Sequence, residues 1–206
     1  MLDAVTIPSD QLFAILTAIS FAAGLNVYAT VATLGLLAHY EMFPLPPGLH
    51  LLSSWPVIAG CGALFAVELF ADKIPIFDLL WNALHTFVRV PVAALLAYRA
   101  TGQLSPGAQL LATLLGGIIA LIAHSGKTAV RAAVTASPEP ISNVALSFAE
   151  DSLAVLLTWF ATTHPYAAAI TSLAFVAVAA MLMRWVIRAL GSLLRRAKQE
   201  LGLIFG

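Results

Sequence analysis

Charged residues are scarce in this sequence. Asp, Glu, Lys and Arg make up 10% of its 206 residues and hydrophobic residues 61%, whereas soluble proteins average about 25% charged residues. The composition excludes a soluble domain and predicts an all-α polytopic membrane protein, with residues 1–206 forming a single transmembrane domain. Four stretches have no charged residue, and each can hold a membrane-spanning helix of about 20 residues: 11–40, 42–67, 100–126 and 152–183.

Cysteine, a basic excess and a positively charged N-terminus are also lacking. Cys61 is the only cysteine, which excludes an internal disulfide and a cysteine metal site. Ten basic residues balance ten acidic ones, so we expect no nucleic-acid partner. Residues 1–10 contain no Lys or Arg, so we expect no secretory signal peptide there. The predicted partners are the lipid bilayer and a small ion or solute.

Proline, glycine and serine divide the apolar sequence into segments. Turn-forming residues occur at 44–48, 105–106, 137–140 and 164–165, and Pro75 marks a further turn that starts a new helix; such residues separate helices. The segments between them have the length of membrane-spanning helices. We therefore predict six transmembrane helices: 11–38, 54–72, 76–98, 107–135, 143–162 and 166–190.

Basic residues near the span ends predict the orientation, because cytoplasmic loops collect Lys and Arg. The C-terminal segment 184–206 is basic and amphipathic, so we place the C-terminus in the cytoplasm and expect this tail to run along the membrane surface. An even number of spans puts the N-terminus on the same side, and Arg99 is the exception to the charge rule. The predicted location is the cell (inner) membrane, multi-pass, with both termini cytoplasmic. The basic residues of the tail are Arg184, Arg188, Arg195, Arg196 and Lys198.

Glycine and polar residues interrupt two of these apolar segments. The first is interrupted from Gly24 to Asn26, and the fourth from His124 to Lys127. Glycine-interrupted helices at corresponding positions of two halves indicate a transporter site. We therefore predict broken helices 1 and 4 within an inverted repeat of two three-helix halves, residues 11–98 and 107–190. Gly24 and Gly126 are expected at helix breaks or at tight helix crossings, since glycine costs roughly 1 kcal/mol in an ordinary helix.

Charged side chains in the apolar segments need a physical reason, since each costs about 2.5–3.5 kcal/mol at the centre of a spanning helix. Glu68 and Asp72 lie four residues apart, on one helix face, and Lys73 follows directly. These residues either lie at the membrane surface, with Lys73 extending to water, or face the bundle interior and pair with Lys127 or Arg131. Both interpretations stay open at the level of sequence.

Glu150 and Asp151 form a second acidic group, inside the fifth predicted span. Carboxylates surrounded by hydroxyl and amide oxygens suit Mg²⁺, Ca²⁺ or Mn²⁺, so the pair is a candidate site for a divalent cation. A proton relay fits the same residues, and so does a location at the cytoplasmic end of the helix. The neighbouring residues that carry such oxygens are Ser142, Asn143, Ser147 and Ser152.

A histidine and a glycine-lysine pair give further signals. His124 opens the interruption of the fourth segment, whereas the other four histidines show no ligand spacing. The segment from Gly126 to Thr128 resembles part of a phosphate loop, but Leu121 stands where that loop requires glycine. A helix that begins at Gly126 would still present free N–H groups to an anion.

Several short motifs occur together along the chain. They are Gly24-Leu25-Asn26, the turn at 44–48, Ala71-Asp72-Lys73-Ile74-Pro75 with Asp78, Thr86-Phe87-Val88-Arg89-Val90-Pro91, His124 with Lys127 and Arg131, and Asn143 with Ser147, Glu150 and Asp151. In this combination the chain resembles the bacterial membrane proteins grouped as domain of unknown function 4126, over roughly residues 20–160. The resemblance implies a helical membrane architecture and a set of site residues, but no activity. The candidate ion-binding residues are Asn26, Glu68, Asp72, Lys73, Asp78, Arg89, His124, Lys127, Arg131, Asn143, Ser147, Glu150 and Asp151.

The function that these residues favour is a small secondary transporter or channel for a small ion, a cation or a proton, that uses intramembrane carboxylates. The segment from Glu68 to Lys73 is similar to the Glu-x-Gly-Asp-Lys/Arg-Ser/Thr signature of cation/proton exchangers. It departs from that signature in three ways: the spacing is one residue longer, the glycine is missing, and Ile74 replaces the hydroxyl residue.

Three alternatives remain open. A transporter for an anion or a phosphate-containing solute would use Lys127 and Arg131. A membrane enzyme acting on lipid head groups would hold a metal with Glu150 and Asp151, but one adjacent acidic pair is too few ligands for such a site, so we do not favour an enzyme. A membrane scaffold would use the polar residues only as packing pairs. We also expect a homodimer, since the pair at 116–117 allows close helix packing.

Overall fold

The computed structural model describes the backbone of residues 7–71, 75–135 and 140–205, and the side chains of 7–70, 84–131, 144–189, 191, 192 and 195. All regular structure in these ranges is helical, which confirms the predicted all-α class. The elements are α1 (Ser9–Leu25), α2 (Val27–His39), a 3-10 helix (Pro47–Ser53), α3 (Trp55–Ala71), α4 (Pro75–Ala100), α5 (Pro106–Thr135), α6 (Pro140–Thr163) and α7 (Pro165–Phe205).

A single residue separates α1 from α2. Asn26 adopts an extended conformation, with φ −149° and ψ 104°, and this interrupts the helix. Its backbone N–H donates to the carbonyl of Ala22 (2.9 Å), while its side-chain Oδ1 accepts from the backbone N–H of Ala29 (2.9 Å) and so caps α2. Asparagine is among the best residues for this capping position. The predicted break in the first helix is confirmed.

The two helices on either side of Asn26 fold back on each other as a hairpin. One small apolar cavity is lined by Ile19 of α1, by Leu34 of α2 and by Leu49 of the 3-10 helix. At 1.5 Å per residue, Ile19 lies about 10 Å before Asn26 and Leu34 about 12 Å after it, so a straight path would place them roughly 22 Å apart. Because they share a cavity instead, the chain reverses at Asn26. We call this unit the helical hairpin and residues 25 and 26 its tip.

Both ends of the helical hairpin lie at one end of the bundle, which we call the loop end. Leu12, near the start of α1, lines the same cavity as Ala100 at the end of α4. The Tyr166 hydroxyl, at the start of α7, donates to the Asp10 carboxylate, and this hydrogen bond holds the pKa of Asp10 below its ordinary value. The connections between α4 and α5 and between α6 and α7 therefore lie at the loop end, and α7 runs away from it.

This path corrects the predicted topology. The segment 11–38 is not one span, because a hairpin with both ends at the loop end does not cross the bundle. Helix α7 leaves the loop end and continues for 41 residues, a path that favours opposite sides for the two termini; their orientation in the membrane stays a prediction. Within the described residues, three helices are long and apolar enough to span a membrane, or four if one bent pair counts as a span: Pro106–Arg131, Val144–Thr163, Pro165–Ala189, and the pair Pro47–Ser53 with Trp55–Phe70.

The predicted break in the fourth helix is wrong. Helix α5 is continuous from Pro106 to Thr135 and passes through the segment 124–127 without interruption. The first segment folds back as the hairpin, so the first half no longer has the three crossings that would invert the second half. The predicted inverted repeat of 11–98 and 107–190 therefore loses the two features on which it depended.

Glycine allows neighbouring helices to pack closely at both interrupted segments. A Cβ on Gly24 would lie 2.5 Å from the carbonyl oxygen of Ala120 in α5, and a Cβ on Gly126 would lie 2.5 Å from Cβ of Ala179 in α7. Both distances are far below van der Waals contact, so only glycine lets these helices approach so closely. The prediction that these two glycines lie at breaks or tight crossings is confirmed.

Two further expectations concern surfaces. A Cβ on Gly116 would lie 3.0 Å from Cβ of Ala97 and 3.1 Å from Oγ of Ser20, so this glycine packs helices within one chain, and the homodimer stays a prediction without a located interface. The predicted tail 184–206 continues α7 as helix up to Phe205. Its position along a membrane surface stays a prediction.

We predict that cysteines placed at Ser9, His50 and Thr163 react with a membrane-impermeant maleimide from the same side of the membrane, and that a cysteine at Arg195 reacts from the other side. The hairpin puts the first three positions at the loop end and α7 carries the fourth away from it. The measurement uses a Cys61→Ala background in sealed vesicles of known orientation. Labelling at Ser9 from the side of Arg195 would contradict the hairpin.

We predict that Gly24→Ala lowers the stability by about 1–3 kcal/mol, because the new methyl group meets the backbone of α5 and overpacks the crossing. Gly60→Ala is the matched control, since nothing lies within 4 Å of a Cβ at that position and alanine is the better helix former. Thermal unfolding in detergent measures both variants. Equal melting temperatures would show that α1 and α5 do not cross closely at Gly24.

Candidate functional site

Among the residues whose side chains are described, six that carry charge meet inside the apolar bundle around the hairpin tip. Each is between 0% and 8% exposed, although charged residues are almost never fully buried unless they are paired. Three are basic and three are acidic, so their formal charges sum to zero when all are ionised. We call this group the charge cluster; it consists of Glu68, Arg89, Lys127, Arg131, Glu150 and Asp151.

The charge cluster satisfies both helix ends at the hairpin tip. Nζ of Lys127 donates to the carbonyl of Leu25, the last residue of α1, at 3.1 Å. A helix C-terminus carries partial negative charge and a helix N-terminus partial positive charge. At the start of α2, Asn26 Nδ2 donates to Oδ1 of Asp151 at 2.8 Å, so an acid lies beside the positive end. Each half-helix therefore ends against a side chain of opposite charge.

Lys127 also links two acids from different helices. Its Nζ lies 3.3 Å from Oε2 of Glu150 in α6 and 3.8 Å from Oε1 of Glu68 in α3. Arg131, one turn further along α5, donates to the same Glu150 oxygen from Nε (3.1 Å) and Nη2 (2.7 Å). The same Oε1 of Glu68 accepts from Arg89 of α4. Charged contacts thus join α1, α3, α4, α5 and α6 at one place.

His124 extends the cluster and its tautomer follows from its partners. Nη1 of Arg89 lies 2.8 Å from Nδ1 of His124, and Oγ1 of Thr86 lies 2.8 Å from Nε2. A guanidinium only donates hydrogen bonds, so Nδ1 accepts and the ring proton is on Nε2, which donates to Thr86. An imidazolium has no acceptor, so the contact with Arg89 requires neutral His124.

One carboxylate oxygen in the cluster is left open. Oε2 of Glu68 is buried and has no hydrogen-bond partner among the residues that the structure describes, whereas Oε1 of the same group faces Arg89 and Lys127. A buried acceptor without a partner costs free energy. A polar ligand that donates a hydrogen bond would therefore find an open acceptor at this oxygen.

The structure brings most of the predicted site residues together. Asn26, Glu68, Arg89, His124, Lys127, Arg131, Glu150 and Asp151 meet at the hairpin tip, and Ser147 is buried one turn before Glu150. Glu68 faces the interior beside Lys127, as one of the two interpretations expects, while a role in ion binding stays a prediction. Asp72 and Lys73 lie outside the described residues. Asp78 and Asn143 belong to α4 and α6, but their side chains also lie outside the description.

The geometry bears on two expected binding modes. Glu150 contacts Arg131 while its neighbour Asp151 contacts Asn26, because adjacent helical side chains point about 100° apart, so the two carboxylates have different partners here and the divalent-cation site stays a prediction. The described residues also contain no group of three or more His, Cys, Asp or Glu side chains that would hold a metal. An anion site at a helix start is excluded at Gly126, since α5 continues through it.

Sequence reasoning missed three contributors. The Leu25 carbonyl is a backbone group, which no side-chain pattern reveals. Thr86 lies three residues before Arg89, and this helical spacing was the available signal for a shared face. His85 shows no ligand spacing in the sequence, yet its Nε2 lies 3.1 Å from the hydroxyl of Tyr28, two residues after the hairpin tip.

A comparison with known protein families finds a match that includes most of the hairpin and the whole charge cluster. The model of the family described as Domain of unknown function (DUF4126) matches residues 13–185. The chain belongs to this family. The DUF4126 description assigns no activity, so the chemistry has to be argued from the site. No curated protein and no solved structure matches the chain.

We predict that Asn26→Asp destabilises the protein by about 2–3 kcal/mol, because it keeps the oxygen that caps α2 but replaces the donor to Asp151 with a second carboxylate. Adding Asp151→Asn exchanges the two groups and restores one acid and one amide, so the double variant should regain most of the loss. Thermal unfolding in detergent measures both. A double variant less stable than Asn26→Asp alone would contradict the assigned contact.

Proposed function

We propose that this chain is a small membrane transporter or channel for a small ion, a proton or another small cation, and that the ion passes through the charge cluster. The observation that carries the proposal is the helical hairpin, whose broken tip ends among six buried charged side chains. Irregular backbone inside a membrane protein occurs where it is buried in protein or lines a water-filled cavity. Broken helices with opposed half-helix ends are a common way to build a transporter site.

A series of polar contacts between titratable side chains supports a proton as the ion. It runs from Glu68 through Lys127 to Glu150, while Arg89, which does not give up its proton, holds Glu68 beside His124. Neighbouring groups in this series lie no more than 3.8 Å apart. Carboxylates and histidine within transmembrane segments are typical of proton relays. Proton movement through such a series requires one ion pair to open at a time.

We place the loop end outside the cell (inner) membrane and the C-terminal part of α7 in the cytoplasm. The described basic residues beyond the middle of α7, Arg184, Arg188 and Arg195, support this orientation through the positive-inside rule. The N-terminus then lies outside, because the hairpin returns to the loop end. The bilayer is the proposed partner, and a second copy of the chain is the proposed protein partner.

A membrane scaffold is the second candidate, and the pairing of acids with bases favours it. Buried ion pairs can serve packing alone, and removal of one member destabilises a protein by about 3–5 kcal/mol because its partner stays buried and charged. Loss of activity in a single variant therefore does not separate the two functions. Stability and flux have to be measured on the same variants.

We predict that Glu150→Gln abolishes proton or cation flux in proteoliposomes, because it removes a titratable group from the series of contacts. Glu41→Gln is the matched control, since Glu41 is exposed outside the cluster, and it should keep full flux. Flux is followed with a pH-sensitive dye inside the vesicles and with a labelled monovalent cation.

The double variant Glu150→Gln with Arg131→Gln separates transport from folding. It removes one acid and one base, so the cluster stays neutral and the protein should regain stability relative to Glu150→Gln alone. Stability regained without flux supports transport. Full flux in the folded double variant contradicts a carboxylate mechanism at Glu150. An absence of flux in the wild-type protein for every ion tested favours the scaffold.

A further inference from the structure

An open cavity lies at the loop end, between the end of α4 and the start of α5. Its volume is about 480 Å³, within the range of roughly 300–1,000 Å³ that small-molecule sites have. The 3-10 helix forms one wall through Gly48, which packs so closely that a Cβ there would lie 2.1 Å from the carbonyl oxygen of Arg99. The side chains of Tyr98, Arg99, Gln103 and Gln109 give the cavity one cation and several hydrogen-bonding groups.

Arg99 lines this cavity with a charge that no described side chain neutralises. It is exposed, and within the described residues its guanidinium takes part in no ion pair or hydrogen bond, whereas the three basic side chains of the charge cluster all have acidic partners. Arg99 is also the exception to the positive-inside rule, since the loop end lies outside in the proposed orientation. A guanidinium is always charged in proteins, so the cavity is positive without any change of protonation.

Two amide side chains add hydrogen-bonding groups beside this charge. Nε2 of Gln109 donates to the carbonyl of Tyr98 at 2.9 Å, which leaves one N–H and the amide oxygen of Gln109 for a ligand. Gln103 is exposed and offers a second amide. The planar fork of an arginine matches the oxygens of a phosphate group. The lining of the cavity therefore suits a phosphate that is part of a larger polar group.

Aromatic side chains put the cavity at the level of lipid head groups. Tyr40, Trp55, Tyr98 and Tyr166 lie at the loop end, and their exposed fractions are 63%, 53%, 48% and 51%. Exposed Tyr and Trp side chains of membrane proteins collect at the interface between the hydrocarbon and water. These residues mark that interface at the loop end, and Arg99 follows Tyr98 directly, so the cavity opens among the lipid head groups.

The surface next to the cavity, towards the middle of the bundle, is apolar. Leu95 lies one turn before Arg99 on α4, Leu110 and Leu114 follow Gln109 on α5, and the three leucines are 52%, 59% and 55% exposed. Helices α4 and α5 pack against each other. A lipid with its head group in the cavity would therefore lay its acyl chains against leucines, whereas a free phosphate ion would contact only the polar lining.

We propose that this cavity binds the phosphate head group of a membrane phospholipid. Arg99 contacts the phosphate, Gln103 and Gln109 form hydrogen bonds with the rest of the head group, and the acyl chains lie along α4 and α5. The negative charge of a phosphodiester balances the charge of Arg99. The site is separate from the charge cluster, and it does not rest on the proposed transport function.

Native mass spectrometry of the purified full chain measures this binding, with dioleoyl phosphatidylglycerol as the probe. Arg99→Gln should lower the affinity for the most tightly bound lipid by about tenfold or more, because a charge-assisted hydrogen-bonded contact with the phosphate is lost. Arg188→Gln is the matched control, since it removes the same charge from another exposed position, on α7, and it should leave this affinity unchanged. An equal loss in both variants would reduce the effect to general charge attraction and overturn the site.

Two further probes identify what the cavity recognises. Dioleoylglycerol has the same acyl chains without the phosphate and should not compete with phosphatidylglycerol. Inorganic phosphate in millimolar excess should not displace the lipid either, because it lacks the contacts of the acyl chains. Competition by dioleoylglycerol would show that the chains alone are recognised, and displacement by inorganic phosphate would show a site for free phosphate. Either result would overturn the proposal.

Thermal unfolding in detergent separates binding from folding. Arg99→Gln should melt at the wild-type temperature without lipid, because Arg99 is exposed and its guanidinium has no partner in the described part of the chain. Added phosphatidylglycerol should raise the melting temperature of the wild-type protein more than that of the variant. Arg99→Lys keeps the charge without the fork and should lie between them. An equal lipid effect in wild type and Arg99→Gln would overturn the site and leave the proposed ion transport standing.

Discussion

A helix that ends inside an apolar bundle leaves backbone N–H and carbonyl groups that water cannot reach, and these groups must find partners. The hairpin tip meets this requirement with Asn26, which caps α2, and with Lys127, which binds the last carbonyl of α1. The position of α5 against α1 follows from this need. Gly24 makes it possible, because its missing side chain lets α5 approach closely enough for Lys127 to reach the tip.

The hydrogen bond from Lys127 to the hairpin tip brings a positive charge into the apolar bundle. Each buried charge then needs a partner of opposite sign. Lys127 at the end of α1 requires acids, which Glu68 and Glu150 supply, and these in turn accept from Arg89 and Arg131. The result, within the described part of the chain, is a formally neutral group whose charged side chains come from four helices. Its neutrality makes burial tolerable, and for the same reason any change of protonation is felt by the whole group. Packing and ion chemistry therefore depend on the same side chains.

Local helix structure could be predicted from the sequence better than the path of the chain through the bundle or the contacts between distant residues. The break at Asn26 was readable from its glycine and its capping side chain, but the reversal was not, because α1 and α2 are equally apolar whether the chain continues or turns back. At Gly126 the same composition indicated a break, although the glycine serves the crossing with Ala179. Burial of Glu68 and Glu150 was one of the interpretations that their position in apolar segments allowed, whereas their shared contact with Lys127 depends on tertiary structure.

The distance along the chain between the hairpin tip and its partners has a consequence for synthesis. Leu25 and Lys127 are 102 residues apart, and Asn26 and Asp151 are 125 apart. At about 5–20 residues per second, roughly 5–25 s pass between the emergence of the tip and that of the groups that satisfy it. During this interval the polar groups at the hairpin tip lack their partners, because α5 and α6 have not yet been made. Its final packing is therefore a late event that follows the arrival of α5 and α6.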